Sequence, residues 1–114
     1  MNKVTLDRKV APRRALLAGL AASLVLYEKI VTTRAKAKAA QSLTEKLITK
    51  AKKKTLTARR DIIAAIPGAN ANIAKKLMEV LGPRYADRKG GFTRITSLRV
   101  RKGDGAEEVL LELI

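Results

Sequence analysis

The side chains in this chain that can do chemistry are its cations. Between Arg84 and Lys102 stand Arg84, Arg88, Lys89, Arg94, Arg99, Arg101 and Lys102, against the single acid Asp87. Such a set neutralises phosphates. The guanidinium fork makes paired hydrogen bonds to phosphate oxygens, and lysine acts as a flexible point charge. Gly90-Gly91 inside this run lets a nucleic-acid strand come close to the backbone. Tyr85 and Phe92 flank the glycines and offer rings on which an exposed base can stack. Core packing competes for both rings: it is favoured for Phe92 and evenly balanced for Tyr85. A second set, Arg34, Lys36 and Lys38, follows the hydroxyls of Thr32 and Thr33. Arg34 and Lys38 share one helical face, and a helix N-terminus itself favours phosphate. A third set, Lys50, Lys52, Lys53 and Lys54 with Arg59 and Arg60, is dense but less specific. Arg13 and Arg14 stand where a first helix is expected to begin, unfavourably for its dipole unless a phosphate compensates.

Other chemistry is excluded by what is missing. The 114 residues include no histidine, cysteine or tryptophan. Thiolate nucleophiles, disulfides, Cys/His zinc sites and imidazole-based catalysis are therefore impossible. The 10 acidic residues form no D-x-D or H-x-E arrangement, and Glu107-Glu108, being adjacent, point to opposite faces of a strand. The expectation is a non-enzyme with no cofactor, metal or small-molecule substrate. Its 25 Lys and Arg leave a net charge of +15, which points to an anionic polymer as partner. Residues 1–60 hold 16 of these cations and only 3 acids, whereas the last eleven residues hold 4 acids and no base. A nucleoid-type DNA-binding protein is the alternative reading, although no groove-reading element or dimerisation signal accompanies it.

The elements that must position these residues follow from spacing. With 46% apolar residues, the chain can build one core, and its length suits one domain. Residues 1–12 read as a short basic arm and 13–114 as the domain. A first helix runs from Arg13 to about Ile30, with Leu16, Leu20, Leu24, Tyr27 and Val31 on one stripe and Ala15, Ala18, Gly19 and Ala22 offering a close approach on another. Arg13-Arg14 before an apolar run imitates an export signal, but the run is too short to span a membrane and a core helix is preferred. Ile30–Thr33 is β-branched and reads as a short strand. Thr33 then caps a helix to about Lys53. A third helix follows Thr57 and stops at Pro67-Gly68. A fourth follows Asn70, with Ile73, Leu77, Val80 and Leu81 inward, and is stopped by Gly82-Pro83. Phe92–Val100 and Ala106–Ile114 form a hairpin around Gly103-Asp104-Gly105. The expected fold is α+β, a two-layer α-β-α-α-α-β-β domain with a small mixed sheet packed by helices.

Three blocks then resemble the bacterial large-subunit ribosomal protein family L-seventeen. They are Arg14-Ala15-Leu16-Leu17 with Leu20-Ala21 and Ser23-Leu24, then Ile30–Lys38 running on to Glu45–Thr49, and, most specifically, Leu81-Gly82-Pro83-Arg84-Tyr85-Ala86-Asp87-Arg88-Lys89-Gly90-Gly91-Phe92-Thr93-Arg94-Ile95. Arg101-Lys102-Gly103-Asp104 and Leu111-Glu112-Leu113-Ile114 also fit. The resemblance implies the same element order and a structural role in the cytoplasmic ribosome. It implies binding to large-subunit ribosomal RNA near the peptide exit tunnel, beside proteins L-thirty-two and L-twenty-two, with no membrane association. The family's arm is longer and richer in His and Arg. Here only Lys3, Arg8 and Lys9 stand in the corresponding stretch to carry its RNA contacts.

Overall fold

A computed structural model describes residues 10–66 and 71–114. Helix α1 (Val10–Tyr27) leads into strand β1 (Lys29–Thr33), then α2 (Arg34–Ala51) and α3 (Leu56–Ala65). Helix α4 (Ala71–Lys76) runs without a break into a π-helical turn (Leu77–Leu81) and a closing turn, α5 (Gly82–Arg84). Strands β2 (Thr93–Val100) and β3 (Glu107–Leu113) end the chain. The α+β order is the expected one, and one apolar core links α1, α2, α3, the α4–α5 rod and the inner face of the sheet.

The sheet is antiparallel throughout, not mixed. Its order is β1-β3-β2, so the parallel strands β1 and β2 never become neighbours; β3 lies between them and runs opposite to both. Val109, Leu111 and Leu113 of β3 point inward and are buried. The register sets Ile30 beside Leu111 and Thr33 beside Glu108 on one side, and Arg94 beside Glu112 on the other. A bulge at Leu98 shifts β2 so that Arg99 faces Glu108.

Helix α1 starts at Val10, ahead of the expected Arg13, because Pro12 is tolerated in a first turn whose N–H groups have no intrahelical partner. Its buried face is Ala18, Ala21, Leu24 and Val25, whereas Tyr27 and Val31 of the expected stripe are exposed. The helical count fails there because Glu28 adopts φ 64° and ends the helix. Alanines decide the packing: Ala37, Ala40 and Ala51 line the core-facing side of α2, and small side chains let helix axes approach.

Three caps and stops differ from expectation. Thr33 occupies the N-cap position of α2, but its hydroxyl makes no capping bond. Thr55, not Thr57, caps α3, accepting from the Ala58 N–H at 3.0 Å. Gly82-Pro83 does not stop the fourth helix. The chain instead widens into the π turn, in which the Gly82 N–H reaches the Leu77 carbonyl, relieving the clash a proline ring makes with the carbonyl four residues back. The widening also turns Val80 outward while Leu77 and Leu81 stay buried. Gly82 serves close approach: a Cβ there would lie 3.1 Å from the Ala51 carbonyl oxygen and 3.2 Å from that of Leu77. The expected cap Asn70 and the stop Pro67-Gly68 lie outside the described residues.

Gly82→Ala should therefore destabilise the fold by about 1–3 kcal/mol, through overpacking against backbone that cannot yield. Thr44 is fully buried with an unpaired hydroxyl among the described residues, so Thr44→Val should leave stability unchanged or raise it by up to about 1 kcal/mol. Urea midpoints at constant slope measure both.

Candidate nucleic-acid interface

The cations that the sequence scatters into three sets are gathered at the two ends of α2. That helix has 18 residues and so spans about 27 Å at 1.5 Å per residue.

At its N-terminal end, Arg34 reaches across to the hairpin. Its Nε and Nη2 donate to the two carboxylate oxygens of Glu107 at 2.6 and 2.9 Å, and Nη2 also donates to the Ser97 hydroxyl. The Arg34 fork, then Ser97, hold the Glu107 carboxyl well below the usual 4.5, at about 2. Lys36 and Lys38 follow on α2, Lys36 half-buried and Lys38 exposed. The hairpin brings Arg99, Arg101 and Lys102 to the same end, because Thr33, just before Arg34, pairs with Glu108 and Glu108 faces Arg99.

At the C-terminal end, Lys52 meets the 85–92 loop. Its Nζ donates to the Arg88 carbonyl and lies 5.2 Å from the Phe92 ring centre. Lys53 is exposed beside it, and Lys54, at φ 55°, turns the chain beyond the helix end. Both loop ends are pinned by rings. Tyr85 and Phe92 are buried, with centroids 5.1 Å apart, and the Tyr85 hydroxyl donates to the Ile114 carbonyl at 2.7 Å. Tyr85 is thus core, as Phe92 is, and neither ring can stack on a base. The guanidinium groups of Arg84 and Arg88 lie 5.9 and 6.0 Å from the Tyr85 ring centre. Residues 86–91 are all exposed. Gly91 takes φ 67°, a conformation that a side chain disfavours; Gly90 needs no such freedom and borders open space.

Five of the arginines singled out by sequence are held by carboxylates. Arg34 pairs with Glu107, Arg84 with Glu28, Arg94 with Glu112, Arg99 with Glu108 and Arg101 with Asp104. The Asp104 carboxyl is also lowered, first by the Ala106 N–H. Arg13, Arg14, Lys36, Lys38, Lys52, Lys53, Arg88, Lys89 and Lys102 have no ion pair with another described residue. Arg13 and Arg14 are the fourth and fifth residues of α1, close to its N-terminal end. Lys3, Arg8 and Lys9 lie outside the described residues.

Sequence reasoning overlooked Glu28. It is the one acid between the apolar run of α1 and the strand β1, a position that could have marked it. Arg84 donates to its Oε1 at 2.5 Å and Lys76 lies 3.1 Å from its Oε2. Arg84 first, then Lys76, holds this carboxyl down at about 2. The four acids of the last segment carry no local sign in the sequence that they partner arginines. The strand order, with β3 in the centre, reveals the pairing of the three glutamates; Asp104 meets Arg101 within the turn. Among the described residues there is no acidic cluster suited to a metal ion and no helix long and apolar enough to cross a membrane.

Because folded Glu28 and Glu107 hold protons less readily than the unfolded chain does, their stabilisation is complete above about pH 4.5 and is lost as pH falls towards 2. Thermal midpoints measured across that window should decline, and Glu28→Gln should start lower and decline less steeply.

A family model described as ribosomal protein L17 matches residues 16–114. The large ribosomal subunit protein bL17 of Carboxydothermus hydrogenoformans is 46% identical over 114 residues, covering 100% of both chains. That of Pediococcus pentosaceus is 45% identical, covering 100% of this chain and 99% of its own. That of Wolinella succinogenes is 49% identical, covering 96% and 92%.

Proposed function

The chain belongs to the ribosomal protein L17 family, a structural and not an enzymatic constituent of the large ribosomal subunit, and on that premise we propose that it binds large-subunit ribosomal RNA through the cations at both ends of α2. The observation that carries this reading is the sorting of charge. Internal carboxylates take up five arginines, while Lys36 and Lys38 at one end and Lys53, Arg88 and Lys89 at the other form no ion pair among the described residues. Two cationic ends held apart by a rigid helix suit phosphates of two RNA segments better than one. The paired arginines contribute through the donors their carboxylates leave free, since a guanidinium has five. Thr32, Thr33 and Gly91 border these cations, and Arg13, Arg14 and Lys102 extend them. Lys3, Arg8 and Lys9 add contacts ahead of α1. The family resemblance supports a position near the peptide exit tunnel, beside L-thirty-two and L-twenty-two, in cytoplasmic ribosomes. No observation favours the DNA-binding alternative.

In a lysate sedimented in high-magnesium buffer, the protein should run with the large subunit; a free or DNA-bound pool would contradict the reading. Replacing Lys36, Lys38, Arg88 and Lys89 by alanine should leave the unfolding midpoint near wild type. Each lost cation should reduce the salt dependence of ribosomal RNA binding by about one unit of log–log slope. An unchanged slope would refute the assigned contacts.

A further inference from the structure

The chain has three aromatic side chains, Tyr27, Tyr85 and Phe92. The core consumes two of them, and Tyr27 remains 70% exposed at the last residue of α1. It makes no hydrogen bond with another described residue. The backbone on either side of it is clamped. Lys76 donates to the Leu26 carbonyl at 3.0 Å. Glu28 donates its N–H to the Leu24 carbonyl at 2.8 Å and accepts from the Leu113 N–H at 2.9 Å, while its carboxylate holds Arg84 and Lys76. These bonds hold Glu28 at φ 64° without a glycine, so the corner that presents Tyr27 is preset. A largely exposed ring on a rigid corner contributes little to folding.

We infer that Tyr27 is a stacking platform for one unpaired base of the bound RNA, a contact that rests on the RNA-binding reading above. The surroundings select this occupant. Lys29, Lys76 and Arg84 outnumber Glu28 at the corner, and Arg84 opens the same loop that carries Arg88 and Lys89. Exposed Leu26, Val80 and Ile114 lie on the elements that meet there. A nucleotide supplies both halves of what the corner offers: a base face for the ring and a phosphate for Lys29 or Arg84. An apolar pocket on a neighbouring protein would have to cover the same cations and strip their water without supplying an anion.

The test uses full-length protein and large-subunit ribosomal RNA transcribed in vitro, with subunit incorporation measured in parallel. Tyr27→Ala should weaken RNA binding roughly tenfold, the size expected for losing one base–aromatic stack, with an unchanged salt slope because no cation is removed. Tyr27→Phe should bind like wild type, and Tyr27→Leu should be as weak as Tyr27→Ala. Exposure of the ring predicts equal unfolding midpoints throughout. Wild-type affinity in Tyr27→Ala, or in Tyr27→Leu, overturns the stacking contact while leaving the RNA-binding reading in place. Normal RNA affinity with poor incorporation into subunits overturns it in favour of a protein neighbour. Failure of the wild type to bind the RNA overturns the RNA-binding reading itself.

Discussion

Strand β3 runs between β1 and β2, and its alternation does two jobs at once. One face sends Val109, Leu111 and Leu113 into the core. The other carries Glu108 and Glu112, which meet Arg99 and Arg94 of β2. At its first residue, Glu107 crosses to Arg34 at the start of α2. A strand at an edge could not serve both neighbours and a helix in this way. The central placement of β3 therefore closes the core and also settles which arginines are held internally.

The sorting by residue type has a physical basis. With the exception of Lys76, every cation in an ion pair among the described residues is an arginine. Its planar fork matches a carboxylate and loses less freedom per hydrogen bond than a lysine. Exposed pairs of this kind add little to stability individually. Their effect here is on organisation: each fixes an arginine in direction and sets a carboxylate against its charge. The lysines of α2 and the loop are left to generate the field, with Lys52 the partial exception that staples the loop through the Arg88 carbonyl.

The Glu28 corner links this electrostatic arrangement to the backbone. One carboxylate ties the end of α1 to Lys76 on α4 and Arg84 on α5, and the same residue's carbonyl takes the Leu113 N–H. The loop carrying Arg88 and Lys89 thus departs from an anchored arginine and returns through buried Phe92. Tyr85 and Phe92, the residues whose rings best suited a base in sequence, are the pedestal that keeps the loop in place.

Much of the fold was legible in the residues alone. β-branched Ile30–Thr33, the Gly-Asp-Gly turn and the alternation of Val109, Leu111 and Leu113 are local signals, because strand propensity, turn geometry and a period of two act over a few residues. The cationic character of the site was legible too, since charge is additive along the chain. Sequence could not decide the sheet order, the burial of Tyr85, the exposure of Tyr27 and Val80, or the pairing of five arginines with acids as far as 73 positions away. Those depend on which elements become neighbours. A ring is core or surface, and a cation paired or free, only once the elements that surround it have packed.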